Sequence, residues 1–210
     1  CAVSLPDVEN AVRCFLTSDV TIVSLRPEHL RDIWTDIRNV AVVTGQEATA
    51  EVLLQDLKER LWKVEQKTRH LSRPRVTCLE WLDPLMAAGN WMPELIEIAG
   101  GEYGLVDAGA HTTTITWDAL VAFQPEVIVI TPCGFKISQS QTDLPILTAH
   151  PKWQSLPAVQ NNRVYVADGN AYYNRPGPRI VESTEILAEM LHPVACTGMA
   201  VPGSYIQIRP

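Results

Sequence analysis

The segment Val127–Thr131 (VIVIT) constrains this chain more than any other. Four apolar residues without a polar interruption before threonine are too short for a helix. They are also too uniformly apolar for a strand with one wet face. Such a run is expected of a strand covered on both sides, as in a parallel sheet sandwiched between helices. The flanking sequence agrees. Trp117–Phe123 reads as a short helix with Thr116 placed to cap it, Val76–Glu80 and Val164–Ala167 read as further strands, and Arg179–Leu191 reads as a closing helix. Strands alternating with helices give an α/β class with a mostly parallel sheet.

The region before Ser72 has a different texture. Pro6–Phe15 is helical and Val20–Ser24 is a β-branched run with strand character. Pro27 suits the first position of a helix carrying Leu30, Ile33, Ile37 and Val40 on one stripe. From Glu47 to about His70 the sequence predicts the longest helix, about 36 Å at 1.5 Å per residue. Ala50, Leu53, Leu54, Leu57, Leu61 and Val64 line its apolar side, over too few heptads for a coiled coil.

Pro93–Ala99 is a helix stopped by Gly100 and Gly101. Leu144–His150 is partly helical, kept short by Pro145 and Pro151. Tyr205–Ile208 is a candidate edge strand. The expected division is residues 1–44 as the remnant of a first lobe, 45–72 as a connecting long helix, 73–192 as a complete α/β lobe and 193–210 as a tail. One strand with two helices cannot bury both faces of a sheet, so the first 44 residues should pack as only part of a lobe.

With 210 residues and 46% hydrophobic content the chain can build a real core. A formal charge of -7, with no basic cluster beyond Lys67–Arg75, argues against nucleic acid as a partner. No apolar run approaches the roughly 18 residues of a membrane span. The five cysteines (1, 14, 78, 133 and 196) form no CxxC pair, and the five histidines are scattered without ligand spacing. Neither a metal nor a catalytic cofactor is signalled. GxGxxG, GxxxxGK[ST], HExxH and GxSxG are all missing. An enzyme would have to draw on Glu80, Asp83, His111 and Cys133.

Three segments stand out as candidate binding loops, each following a predicted strand. The first carries Trp81, Asp83, Asn90 and Trp91, where indoles could stack on a planar ligand or simply cap the core. In the second, ITPCGF, Cys133 and Gly134 stand at the strand end, Cys133 being either a reactive thiol or a small packed residue. The third, ADGNAYYNRPGPR, offers Tyr172, Tyr173 and Arg175 on a loop stiffened by Pro176 and Pro178. Loops after the carboxyl ends of neighbouring parallel strands collect ligands. Convergence of the three predicts an aromatic and polar surface for a large, flat ligand.

Four stretches carry a resemblance to a known family: CLEWLDPLMAAGNWMPELIEIAGG, TITWDALVAFQPEVIVITPCGF, LPAVQNNRVYVADG and YYNRPGPR. They cover most of Arg75–Pro193. They resemble the second lobe of the binding proteins that serve ABC importers of cobalamin, haem and iron-siderophores, in which one long helix joins two Rossmann-like lobes. The likeness is closest to the cobalamin-binding members. The opening CAVS resembles an internal stretch of the same family, so Cys1 is read as a boundary inside the protein and not as a lipid-modified terminus.

The resemblance implies a non-enzymatic transport component of the periplasm or cell envelope, with a corrinoid as transported ligand and an ABC permease as partner. It places Asp118 at the acidic position that pairs with permease arginines; an Asp near a helix start is also favoured by the helix dipole alone. One departure is visible. The second-lobe tryptophan that stacks on the corrin aligns near His111 and Thr112. DAGAHTTT also lacks the DxHxxG signature of enzymes that ligate cobalt. Haem and ferric siderophores are the alternative ligands, and siderophore carriers tend to use several arginines where these loops offer mainly Arg175.

Overall fold

The computed structural model describes residues 4–15 and 20–209, leaving Cys1 outside the described residues. Its centre is one six-stranded mixed sheet of order β3-β2-β1-β4-β5-β6. The strands are β1 (Val76–Leu82), β2 (Leu85–Ala87), β3 (Thr113–Thr114), β4 (Val127–Ile130), β5 (Val164–Ala167) and β6 (Tyr205–Ile208). β1, β4 and β5 run parallel, with Val76 opposite Val127 and Ile128 opposite Val164. The three strands predicted from apolar runs are therefore the sheet's parallel centre, and β4 is buried at every position.

Both margins are antiparallel, which narrows the expectation of a mostly parallel sheet. β2 folds back on β1 around Asp83-Pro84, β3 extends that edge, and β6 pairs with β5 as the Tyr205–Ile208 run suggested. Strands of three and two residues leave no periodicity to read, which is why β2 and β3 escape sequence analysis.

The helices are α1 (Leu5–Phe15), α2 (Leu30–Thr44), α3 (Glu47–Thr68), α4 (Met92–Ile98), α5 (Trp117–Phe123), α6 (Ile137–Thr148), α7 (Pro157–Gln160) and α8 (Ile180–Leu191). The pleat sorts the core into two layers. Val76, Cys78, Val127, Val129, Tyr165 and Ala167 face a cluster completed by α2, α3, α4 and α8. Leu79, Ile128, Ile130, Val164 and Val166 face the opposite cluster with Leu120, Leu147 and the fully buried Trp153. On α3 the buried positions are Ala50, Leu54, Leu57, Leu61, Val64 and Thr68, spaced at the helical repeat as predicted. Arg60 of α3 donates twice to Glu185 of α8, at 3.0 and 2.7 Å, which locks the long helix onto the lobe.

Several local readings are corrected. α2 begins at Leu30, not at Pro27, because the Asp32 carboxylate accepts from the backbone N–H groups of Glu28 and His29 and fixes the start there. Across the interface, the Glu94 carboxylate accepts from Leu30 N at 2.8 Å. Trp34 and Ala41 are buried on α2 where Val40 was expected; Val40 is exposed. Gly45 ends α2 in the left-handed region at φ 64° and returns its N–H to the last turn, a conformation that favours glycine.

Val20–Ser24, expected as a strand, forms none among the described residues, and α1 buries no side chain. α6 starts seven residues earlier than expected and carries Pro145 inside it. Ser140 and Leu147 are buried beneath that helix, so tertiary packing outweighs the one backbone bond that proline deletes.

Candidate functional site

The carboxyl ends of β1, β4 and β5 form one rim. Its backbone is tied across the strands. Leu79 O accepts from Thr131 N at 2.8 Å and Glu80 O from Cys133 N at 3.1 Å, which extends the β1–β4 ladder into the following loop. Phe135 O accepts from Asn170 N at 3.0 Å, and Asn174 Oδ1 accepts from Gly134 N at 3.4 Å. A Cβ on Gly169 would stand 2.4 Å from Pro132 O, so glycine is required where the second and third loops touch.

Four of the predicted residues stand exposed on this rim: Trp81, Cys133, Gly134 and Arg175. Trp81 is 37% exposed, packs edge-on against Phe135 with centroids 5.6 Å apart, and donates its indole N–H to Asp83 O. Gly134 takes φ 77° with open space where a side chain would be. Arg175 donates from Nε to Asn170 O at 3.0 Å and from Nη2 to Asn170 Oδ1 at 2.8 Å, so its guanidinium is held flat against the loop. Partial burial and then the Glu80 carboxylate push the Cys133 thiol above its ordinary range, which keeps it protonated at neutral pH. A small, protonated rim residue fits that environment better than a nucleophile.

The other predicted residues are placed differently. Trp91 and Tyr173 are 8% and 2% exposed and belong to the larger core, so neither can stack on a ligand at the surface. Tyr173 directs its hydroxyl to Ser183 O inside the lobe. Tyr172 is half-buried behind the rim, its backbone carbonyl accepting from Ser183 Oγ at 2.5 Å. Asn90 neither caps α4 nor lies in the first loop's tip. It adopts φ 51° and joins the turn at 109–110, donating its N–H to Ala110 O and accepting from Gly109 N. It reaches the rim's flank through its neighbour. Gly89 N donates to Thr112 Oγ1, and the Thr112 hydroxyl donates to the Glu80 carboxylate.

Glu80 and Phe135 are thus rim residues that the binding-loop reading passed over, as are Asn170 and Asn174. Position relative to the strand end was their available signal. Asp118 stands at the start of α5, 85% exposed at its side chain and ion-paired with Lys152. Beside it, Trp117 and His150 stack in parallel at 3.8 Å. Among the described residues no group of three or more His, Cys, Asp or Glu side chains could hold a metal ion, and no helix is long and apolar enough to cross a membrane.

The sequence profile described as periplasmic binding protein matches residues 13–171, well over half of the chain. The chain belongs to the periplasmic binding protein family.

This periplasmic binding protein is similar to several known proteins. It is 23% identical over 191 residues to an uncharacterized ABC transporter substrate-binding lipoprotein, YvrC, of Bacillus subtilis, a match covering 88% of this chain and 58% of that protein. The chain therefore spans somewhat over half the length of that curated relative. The fold is similar to the periplasmic vitamin B12 binding protein BtuF of Vibrio cholerae, with TM-score 0.66, 20% identity, and coverage of 91% of this chain and 71% of that one. It is similar also to S. aureus IsdE complexed with heme, with TM-score 0.72, 18% identity, and coverage of 90% and 76%. At such identities these structures establish the fold of this periplasmic binding protein and leave its ligand open.

Proposed function

We propose that this periplasmic binding protein is the substrate-binding component of an ABC importer, and that it holds a cobalamin-like corrinoid between two lobes without chemistry on it. In this reading residues 1–44 belong to a first lobe, 45–72 to the connecting helix and 73–192 to the second lobe. The residues after 192 add the edge strand β6. The protein works in the periplasm or at the cell envelope.

The observation that carries the reading is the rim itself. An exposed indole, an open glycine turn, a protonated thiol and a pinned guanidinium lie along the ends of three parallel strands. Trp81, Cys133, Gly134 and Arg175 form its face, with Tyr172 behind them and Asn90 on the flank. Trp91 and Tyr173 support it from the core. Large flat cargo is favoured by stacking, worth about 0.5–1.5 kcal/mol per aromatic pair beyond area burial. A rim whose predicted contacts include one arginine suits a neutral or weakly charged macrocycle better than a polyanionic chelate.

Asp118, exposed in the first turn of α5, is assigned to docking on the permease. Its ion pair with Lys152 holds the carboxyl below the usual range, so it remains charged at every physiological pH.

The full-length protein should be titrated with cyanocobalamin, haem and a ferric siderophore by Trp fluorescence and calorimetry. Saturable binding of cobalamin is expected, weakened about three- to tenfold by Trp81→Ala. Binding of haem or siderophore alone would replace the corrinoid and keep the transport role. Binding of none, with turnover dependent on Cys133 or Asp83, would overturn that role.

A further inference from the structure

The acidic groups at the strand ends are not equivalent. Asp83 is exposed at the tip of the β1–β2 turn, and Asp168 spends its carboxylate accepting from Ala171 N at 2.8 Å. Glu80 is half-buried on β1, its backbone pinned by Cys133 N. One carboxylate oxygen accepts from the Thr112 hydroxyl. Among the described residues it pairs with no Lys, Arg or His side chain. Its charge reaches the rim, raising the proton affinity of Cys133 at the surface and of Cys78 beneath it.

A half-buried carboxylate without a counter-charge is costly unless something completes its hydrogen bonding. Thr112 supplies one donor where a carboxylate has about four acceptor positions. The remaining acceptor capacity is close enough to the rim for the carboxylate's charge to act on Cys133.

We propose that Glu80 sets the charge of the accepted ligand: oriented by Thr112, its carboxylate favours chelates that bring a positive charge or amide N–H donors to this edge and disfavours those that bring carboxylates. The assignment rests on the transport reading above and adds to it a selecting residue. A corrinoid fringed with amides satisfies this edge, whereas the propionates of haem would meet a like charge.

The test compares the full-length protein with its Glu80→Gln and Glu80→Asp variants. The probes are cyanocobalamin, which is neutral, aquocobalamin in mildly acidic buffer, which is cationic, and haem. Glutamine keeps the shape and the bond from Thr112 but removes the charge. Wild type should prefer aquocobalamin to cyanocobalamin by about tenfold, the factor one unit charge gives at roughly 10 Å in a partly solvated cleft. Glu80→Gln should bring that ratio close to one and improve haem binding; Glu80→Asp should keep the preference.

An unchanged ratio in Glu80→Gln overturns the proposal while leaving corrinoid transport standing. So does an equal loss for both cobalamins, or an aspartate variant that behaves like glutamine. A wild type that binds neither cobalamin overturns the proposal and the corrinoid together.

Discussion

At the scale of single residues, environment decides chemistry. Cys78 lies on β1 and Cys133 in the loop after the neighbouring β4, yet Cys133 is exposed whereas Cys78 is sealed in the core. Burial pushes the Cys78 thiol up to about 12, and its sulfur lies 3.3 Å from Thr131 Oγ1. Cys133 is raised for the same leading cause, assisted by Glu80. Since only the thiolate is nucleophilic, alkylation of Cys133 by iodoacetamide should be slower at pH 7 than that of an unperturbed thiol. It should accelerate as pH rises through a value above the ordinary thiol range, and Glu80→Gln should move that value down. Mass spectrometry of the labelled peptide reads both effects; a Cys133 that labels fully at pH 6 would show that burial and charge do not govern it.

Among the secondary-structure elements, the start of α2 is the clearest electrostatic device. Asp32 is held below its usual range, first by the N–H of His29 and then by that of Glu28. A carboxylate whose folded pKa is depressed contributes stability that is present above the unfolded value and lost as pH falls through the folded one. Wild-type protein should therefore lose more thermal stability than Asp32→Asn on going from neutral pH to below the carboxylate range, and the two melting curves should converge in acid. Parallel curves at all pH values would remove the charge from the explanation.

Elements also mark how far the sequence could be read. β1, β4, β5, α3, α5 and α8 were legible because each is an unbroken apolar run or a stripe at the helical repeat. β2 and β3 were not, because strands this short take their register from the strand beside them. Trp91 and Tyr173 were misjudged as surface aromatics for a related reason. An aromatic residue in a turn-rich stretch has equal licence to face in or out, and only the long-range packing of α4 and α8 turns these two inward. Glu80 was seen merely as a possible acid, since nothing in its neighbours foretold that Thr112 would orient it.

For the whole molecule, the proposed function assigns two duties to different residues. The proposal gives ligand binding to the strand-end loops and docking to Asp118 in the first turn of α5. Replacing Asp118 with lysine should slow or abolish docking on the cognate permease, by about tenfold or more, because a rim charge acts mainly through association. Ligand affinity measured in solution should stay unchanged. The reverse pattern, lost ligand binding with docking intact, would move Asp118 into the cleft. Lys152 should release its partner in this variant, so the double exchange Asp118→Lys with Lys152→Asp tests whether the sign or the position of the charge matters.

The three loops at the strand ends are tied by main-chain bonds between Glu80 and Cys133 and between Phe135 and Asn170 and by the Asn174 side chain, and Gly169 admits no side chain where two of them meet. In evolutionary terms these loops form one heritable block. A substitution at these side-chain-dependent points changes the fit of the next loop, so lineages that switched cargo should have exchanged the block together, with positions 134, 169 and 174 covarying. The strands beneath, joined by main-chain bonds indifferent to side chains, should drift on their own schedule.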